Sequence, residues 1–173
     1  MNKLLVIVDM QNDFVTGALA NPAAEKIIPG IAKFAKSFDG NIVFTMDTHT
    51  KKYMETQEGK KLPVPHCIKN TKGWKIVDEL KDIRSTKNFY KPTFGSMMLS
   101  RYIRDYYSNK DSEIYFVGTC TGICVISNAM LAKATAPEAK VCVIDNLCAC
   151  LTPESHKTAI EAMKLCQIDI MKV

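Results

Sequence analysis

This chain of 173 residues has no apolar run longer than a strand, so it offers nothing able to span a bilayer as a helix. Its start lacks the pattern of a secretory leader. Its seven cysteines, an odd number, show no paired Cys-x-x-Cys spacings. Both features favour reduced thiols and a cytoplasmic location over a disulfide scaffold. Charge of one sign is also scarce. The net charge is +5, and the lysines are scattered with no run beyond Lys-Lys pairs. That is a solvated surface and not a nucleic-acid-binding one. No Gly-x-Gly-x-x-Gly follows the first apolar run, which argues against a dinucleotide site. What remains is 47% hydrophobic and 24% charged, enough for one buried core and too short for two, so residues 1–173 read as a single domain.

Short apolar runs alternate with amphipathic stretches. Lys3 to Val8, Ile42 to Met46, Lys87 to Tyr90, Ile114 to Val117, Val141 to Ile144 and Ile168 to Met171 read as strands. Between them, Ala23 to Phe38 has a helical period with Pro29 predicting a break or kink. Trp74 to Leu80 predicts a short helix. Met97 to Tyr107 follows the N-cap Ser96, and Pro153 to Leu165 follows the N-cap Thr152. From Thr50 to Thr71 the periodicity vanishes, and a loop of that length is uncommon unless it is functional. The pattern predicts a three-layer α/β/α domain around a mostly parallel, Rossmann-like sheet of about six strands.

In such folds function collects beyond the carboxyl ends of the strands. Asp9, Asp47 and Cys124 all lie at or just past such ends. In Gly118-Thr119-Cys120-Thr121-Gly122-Ile123-Cys124-Val125 a strand breaks and restarts as a helix, which predicts Cys124 in a first helical turn. Free backbone N–H groups and the helix dipole there favour a thiolate, as a nucleophile requires.

The segments Asp9-Met10-Gln11-Asn12-Asp13-Phe14, Asp47-Thr48-His49, Leu62-Pro63-Val64-Pro65-His66-Cys67, Lys91-Pro92-Thr93-Phe94-Gly95-Ser96 and Gly118 to Val125 stand in an order that resembles the isochorismatase-like cysteine hydrolases, and among them the nicotinamidase-like amidases. The resemblance covers essentially the whole chain. It implies a triad of Asp9 as base, Lys91 as its charge partner and Cys124 as nucleophile, with Lys87 the alternative lysine. It also implies a cis peptide at Thr119–Cys120 and an oxyanion hole built from the N–H groups of Cys120 and Cys124. Where relatives commonly carry an acidic residue, this chain has Gly122.

A divalent transition metal, one per chain, is implied at Asp47, His49 and His66. Many nicotinamidases have a further histidine between these positions and this chain has none. Glu58 is the substitute, with Glu55 the alternative, and zinc, manganese or iron would suit the set. Phe14 and Trp74 are candidate pocket aromatics, and His156 reads as a structural hydrogen-bonding residue. The implied reaction is hydrolysis of a small carboxamide by a homo-oligomer. Vinyl ether hydrolysis on the same fold and a redox module using Cys120 and Cys124 are the rival readings.

Overall fold

The computed structural model describes residues 2–173. Six strands, β1 (Asn2–Val8), β2 (Asn41–Asp47), β3 (Lys87–Lys91), β4 (Ser112–Thr119), β5 (Lys140–Ala149) and β6 (Asp169–Met171), form one sheet in the order β3-β2-β1-β4-β5-β6. Every neighbouring pair is parallel. The order grows outward in opposite directions from the β1/β4 pair, which makes the carboxyl ends of these two strands the switch point of the sheet.

Apolar residues occur without alternation in β1 because both faces are covered. Leu4, Val6 and Val8 point into one layer, packed by Leu99 and Ile103 of α4 (Met97–Tyr107), Ala129 and Ala132 of α5 (Ile126–Thr135), and Ile160 and Met163 of α6 (Pro153–Leu165). Leu5 and Ile7 point into the other, against Ala24, Ile28, Ile31 and Ala35 of α2 (Pro22–Ser37). The remaining helices, α1 (Asn12–Val15) and α3 (Gln57–Lys61), are single turns. No helix among the described residues is long and apolar enough to cross a membrane.

Helices α4 and α6 start where their caps predict. Ser96 Oγ accepts the Leu99 N–H at 3.1 Å. Thr152 and Ser155 exchange hydrogen bonds in a capping box.

Other local expectations are overruled. Pro29 sits inside α2 without ending it. Its face is exposed, so the carbonyl it cannot bond to is free for water. Trp74 to Leu80 is not a helix; only Asp78–Leu80 makes a 3-10 turn. The backbone before it is committed elsewhere, since the Trp74 carbonyl accepts from Gln11 Nε2 at 2.7 Å and the Val77 N–H donates to Met10 O at 3.0 Å. Within Thr50 to Thr71 the chain forms a 3-10 turn at Tyr53–Glu55 and then α3, capped by Thr56. Strand β5 continues past Asp145 to Ala149, because it bulges: Phe116 pairs with Val143, but Gly118 pairs with Cys148.

Candidate active site

Three strand ends bring the triad together. Asp9 follows β1 in a left-handed conformation, φ 49°, uncommon for a residue with a side chain and tolerated best by Asn and Asp. Its N–H donates to Thr45 O and its Oδ1 accepts from Thr45 Oγ1 at 2.7 Å, so β2 aims the carboxylate. Lys91 closes β3. Its Nζ lies 2.6 Å from Asp9 Oδ2, 3.5 Å from Asp47 Oδ1 and 3.5 Å from Cys124 Sγ, while the side chain is only 1% exposed. Lys87, the alternative, is exposed at the far end of the strand.

Cys124 departs from expectation in its local structure. It lies in a π turn, Thr121–Val125, that precedes α5, and not in the first turn of an α-helix. The Cys120 carbonyl accepts from both Ile123 N–H and Val125 N–H at 3.1 Å, which is what widens the turn. The Thr119–Cys120 peptide is cis. Gly118 just before it has φ 119°, and a β-carbon there would stand 2.2 Å from Val8 O. Only glycine lets β4 run this close to β1 at the switch point.

The electrostatics also depart from the expected thiolate. Burial, then Asp9, pushes the Cys124 thiol well above its ordinary value, and Lys91 pulls against this. Burial likewise raises the Asp9 carboxyl despite Lys91. Burial opposes the Lys91 charge, but Asp9, Cys124 and Asp47 together outweigh it and hold the ammonium on. One cation thus faces three acidic groups, so the resting thiol keeps its proton. Asp9, whose carboxyl burial also raises, shares the same lysine contact.

The second cluster is Asp47, His49, Glu58 and His66, whose ligand atoms all lie within 4.8 Å of one another. Asp47 Oδ2 is 3.0 Å from His49 Nε2 and 3.4 Å from His66 Nε2; Glu58 Oε1 is 3.8 and 3.7 Å from the same nitrogens. Glu58 reaches the cluster because Thr56 caps α3 and turns its first residues inward. Glu55 is on the exposed side of the preceding turn and is not part of the cluster.

The donor set fits a divalent metal. His66 Nδ1 is held by Val64 O at 2.8 Å, which leaves Nε2 as the free lone pair, the usual outer-shell arrangement of a metal-binding imidazole. Burial and then the neighbouring Asp47 raise the Glu58 carboxyl, so two adjacent anions are disfavoured until a cation joins them. Zinc, manganese and iron all accept one or two carboxylates with imidazoles.

Both clusters open on one cavity of about 260 Å³, lined on its reactive side by Asp47, Glu58, His66, Thr119, Cys120 and Cys124. Phe14 lines it, 5.5 Å from the His66 ring. Trp74 does not. It stacks on Tyr90 at 5.6 Å, and its Nε1–H donates to Thr48 Oγ1 at 2.9 Å, in a separate surface groove. Burying its indole N–H required a partner, and Thr48 lay behind the metal loop.

Sequence reasoning also missed the cavity wall formed by Leu19, Asn21, Leu62 and Leu151, which has no local signature. It missed Gln11 as well, which takes the Asp47 N–H at 2.7 Å and gives its amide to Asp47 O at 2.9 Å. His156 is tied between Asp145 Oδ1 at 2.6 Å and Thr121 Oγ1 at 2.8 Å, the structural role expected.

Residues 3–173 match the Isochorismatase domain family. A curated relative, the nicotinamidase of Saccharomyces cerevisiae, is 28% identical over 75% of this chain and 81% of its own. Among solved structures, the pyrazinamidase of Pyrococcus horikoshii in complex with zinc superposes with a TM-score of 0.83 at 26% identity, covering 100% of both chains. PnC1 of L. infantum in complex with nicotinate superposes with a TM-score of 0.85 at 19% identity, covering 99% of this chain and 92% of that one, a likeness of fold. The sheet order, the five motifs on its carboxyl edge and a match running through nearly every residue agree: this chain belongs to the Isochorismatase domain family.

Proposed function

We propose that the chain works as one hydrolase domain, residues 1–173, that cleaves a small aromatic carboxamide, nicotinamide foremost, to the carboxylate and ammonia. The observation that carries this reading is the buried contact of Lys91 Nζ with both Asp9 Oδ2 and Cys124 Sγ, the cysteine itself lining the cavity. The curated nicotinamidase relative supports the choice of substrate, and about 260 Å³ suits a single substituted ring.

In this reading Cys124 Sγ attacks the amide carbon as its proton passes to Asp9. The N–H groups of Cys120 and Cys124 hold the oxygen that gains the negative charge. Collapse breaks the carbon–nitrogen bond, and Asp9 returns the proton to the departing nitrogen, which leaves as ammonia. Water then attacks the thioester, gives a proton to Asp9, and frees the acid and the thiol. Lys91 stays charged throughout and stabilises the ionised form of whichever partner lacks the proton.

Asp47, His49, Glu58 and His66 would hold one divalent metal per chain, zinc, manganese or iron. When bound, the ion supplies a coordination position that can orient the ring nitrogen of the substrate. The test is ammonia release from nicotinamide by the purified protein, with Cys124→Ala and a chelated sample as controls. Turnover by Cys124→Ala equal to the parent would overturn the reading.

A further inference from the structure

Beyond the catalytic cysteine, two other thiols meet at the same edge. Thr119, the last residue of β4, is the register partner of Ala149, the last of β5, so Cys120 and Cys150 leave two neighbouring strand ends together. Neighbouring strands run about 4.8 Å apart, inside the Cα spacing that a disulfide needs. Each thiol bears on the ionisation of the other.

The backbone supplies Cys150 with a hydrogen-bond donor. Cys150 Sγ accepts the Gly122 N–H at 3.3 Å. Burial opposes its ionisation, but the Cys120 and Ser155 side chains and the backbone N–H groups of Gly122 and Leu151 outweigh it and lower the thiol. Cys120 is pushed up to about 12, by burial first and then by Cys150. Cys67, Cys124, Cys142 and Cys148, for which burial is also the leading influence, are all raised. Gly122 lets its own N–H come close to Cys150. A β-carbon there would stand 3.3 Å from Cys150 Sγ, tighter than ordinary contact. Cys150 borders a surface hollow with Gly122, Ile126 and Ser155, while Cys120 borders the catalytic cavity, so each sulfur has a route to solvent.

We propose that Cys120 and Cys150 are a site of reversible oxidation by small hydroperoxides, closing into a disulfide next to the nucleophile. The Cys150 thiolate attacks the peroxide: a sulfur–oxygen bond forms, the oxygen–oxygen bond breaks, and the departing oxygen leaves as water or an alcohol after taking up a proton. Cys120 sulfur then displaces hydroxide from the sulfenic acid, and that hydroxide leaves as water with the Cys120 proton. Two thiols are oxidised and one peroxide is reduced. A dithiol reductant reverses the link. Because the Cys120 N–H belongs to the proposed oxyanion hole, closing the link lowers amide turnover. That consequence rests on the proposed function, whereas the disulfide does not.

The experiment is titration of the whole protein with hydrogen peroxide, followed by non-reducing peptide mapping. The expected result is a linked peptide pair joining Cys120 to Cys150 while Cys124 is still a free thiol, restored by dithiothreitol. Cys150→Ser should keep the parent's turnover when reduced, form no such link, and lose activity to peroxide about tenfold more slowly. Cys150→Ala serves if the serine variant does not fold. A linked pair in a protein with no amidase activity would uphold the thiol site and sink only the function proposed above. Oxidation of Cys124 before any Cys120–Cys150 link forms would overturn the inference.

Discussion

At the scale of single residues, the site is defined by how few charges share how little water. Among the described residues Lys91 is the one cation in contact with all of Asp9, Asp47 and Cys124, and removing it leaves buried acidic groups without that counter-charge. Truncating one member of a buried pair costs about 3–5 kcal/mol. Lys91→Ala should therefore lose both stability and turnover, while Lys87→Ala, at an exposed position, should lose neither; paired denaturation and ammonia assays decide. Cys124→Ala should reduce turnover by about a thousandfold or more with the fold intact. Adding Asp9→Asn to it should cost little further, because the two act on one proton. Cys67 shows the contrast. Burial holds its thiol far above the ordinary range, and its N–H serves only to anchor Asp13 Oδ2, so Cys67→Ala should stay within about twofold of the parent.

At the scale of elements, the junctions between strand and helix are where function and stability meet. Gly118→Ala should destabilise by about 2 kcal/mol or more, since it puts a β-carbon both at positive φ and against Val8 O. A urea titration would measure it.

The Asp145–His156–Thr121 chain ties β5 and α6 to the π turn. Burial would raise the Asp145 carboxyl, but the His156 and Lys172 hydrogen bonds outweigh it and hold it below its ordinary 3.8. A carboxyl depressed in the folded state adds stability above the unfolded value and loses it as pH falls through the folded one. Asp145→Asn should thus be less stable than the parent at pH near neutrality, and the gap should begin to narrow only as pH falls below 3.8 and vanish below the folded value; urea midpoints across that range test this. The elements themselves were largely legible. α4 and α6 begin at Ser96 and Thr152 because a cap is a local hydrogen bond. The π turn, α1 and α3 were not legible, because one turn of helix is too short to show a period.

At the scale of the whole molecule, the sheet order puts the ends of β1, β2, β3 and β4 on one rim, so the candidate metal-ligand residues and Cys124 share one cavity. Asp47 belongs to both, touching Lys91 with one oxygen and the two histidines with the other. Protein purified without chelator should carry about one equivalent of transition metal per chain, and His49→Ala and Glu58→Ala should each cut that content sharply. Acidification should release the metal, because the imidazoles must be neutral to bind it. Elemental analysis across a pH series checks both statements.

Much of this was set by the amino-acid sequence alone. Unbroken apolar runs such as Leu4 to Val8 demand cover on both faces, which forces a parallel sheet between helices. Polar residues placed just beyond those runs must then gather at one edge, so Asp9, Asp47 and Cys124 could be named without coordinates, whereas Lys91 was named from the family resemblance. Tertiary structure decided what depends on distance and burial. It set Lys91 against Asp9 with Lys87 at the far end of the strand, put Glu58 and not Glu55 beside the two histidines, left Trp74 in a separate groove, and buried Cys124 so that its thiol is raised where a helix N-terminus had argued for a lowered one. It also set Cys120 beside Cys150, thirty positions on in the chain. Periodicity and caps are local and survive in one dimension. The balance of desolvation against three or four charges exists only once distant strands have been laid side by side.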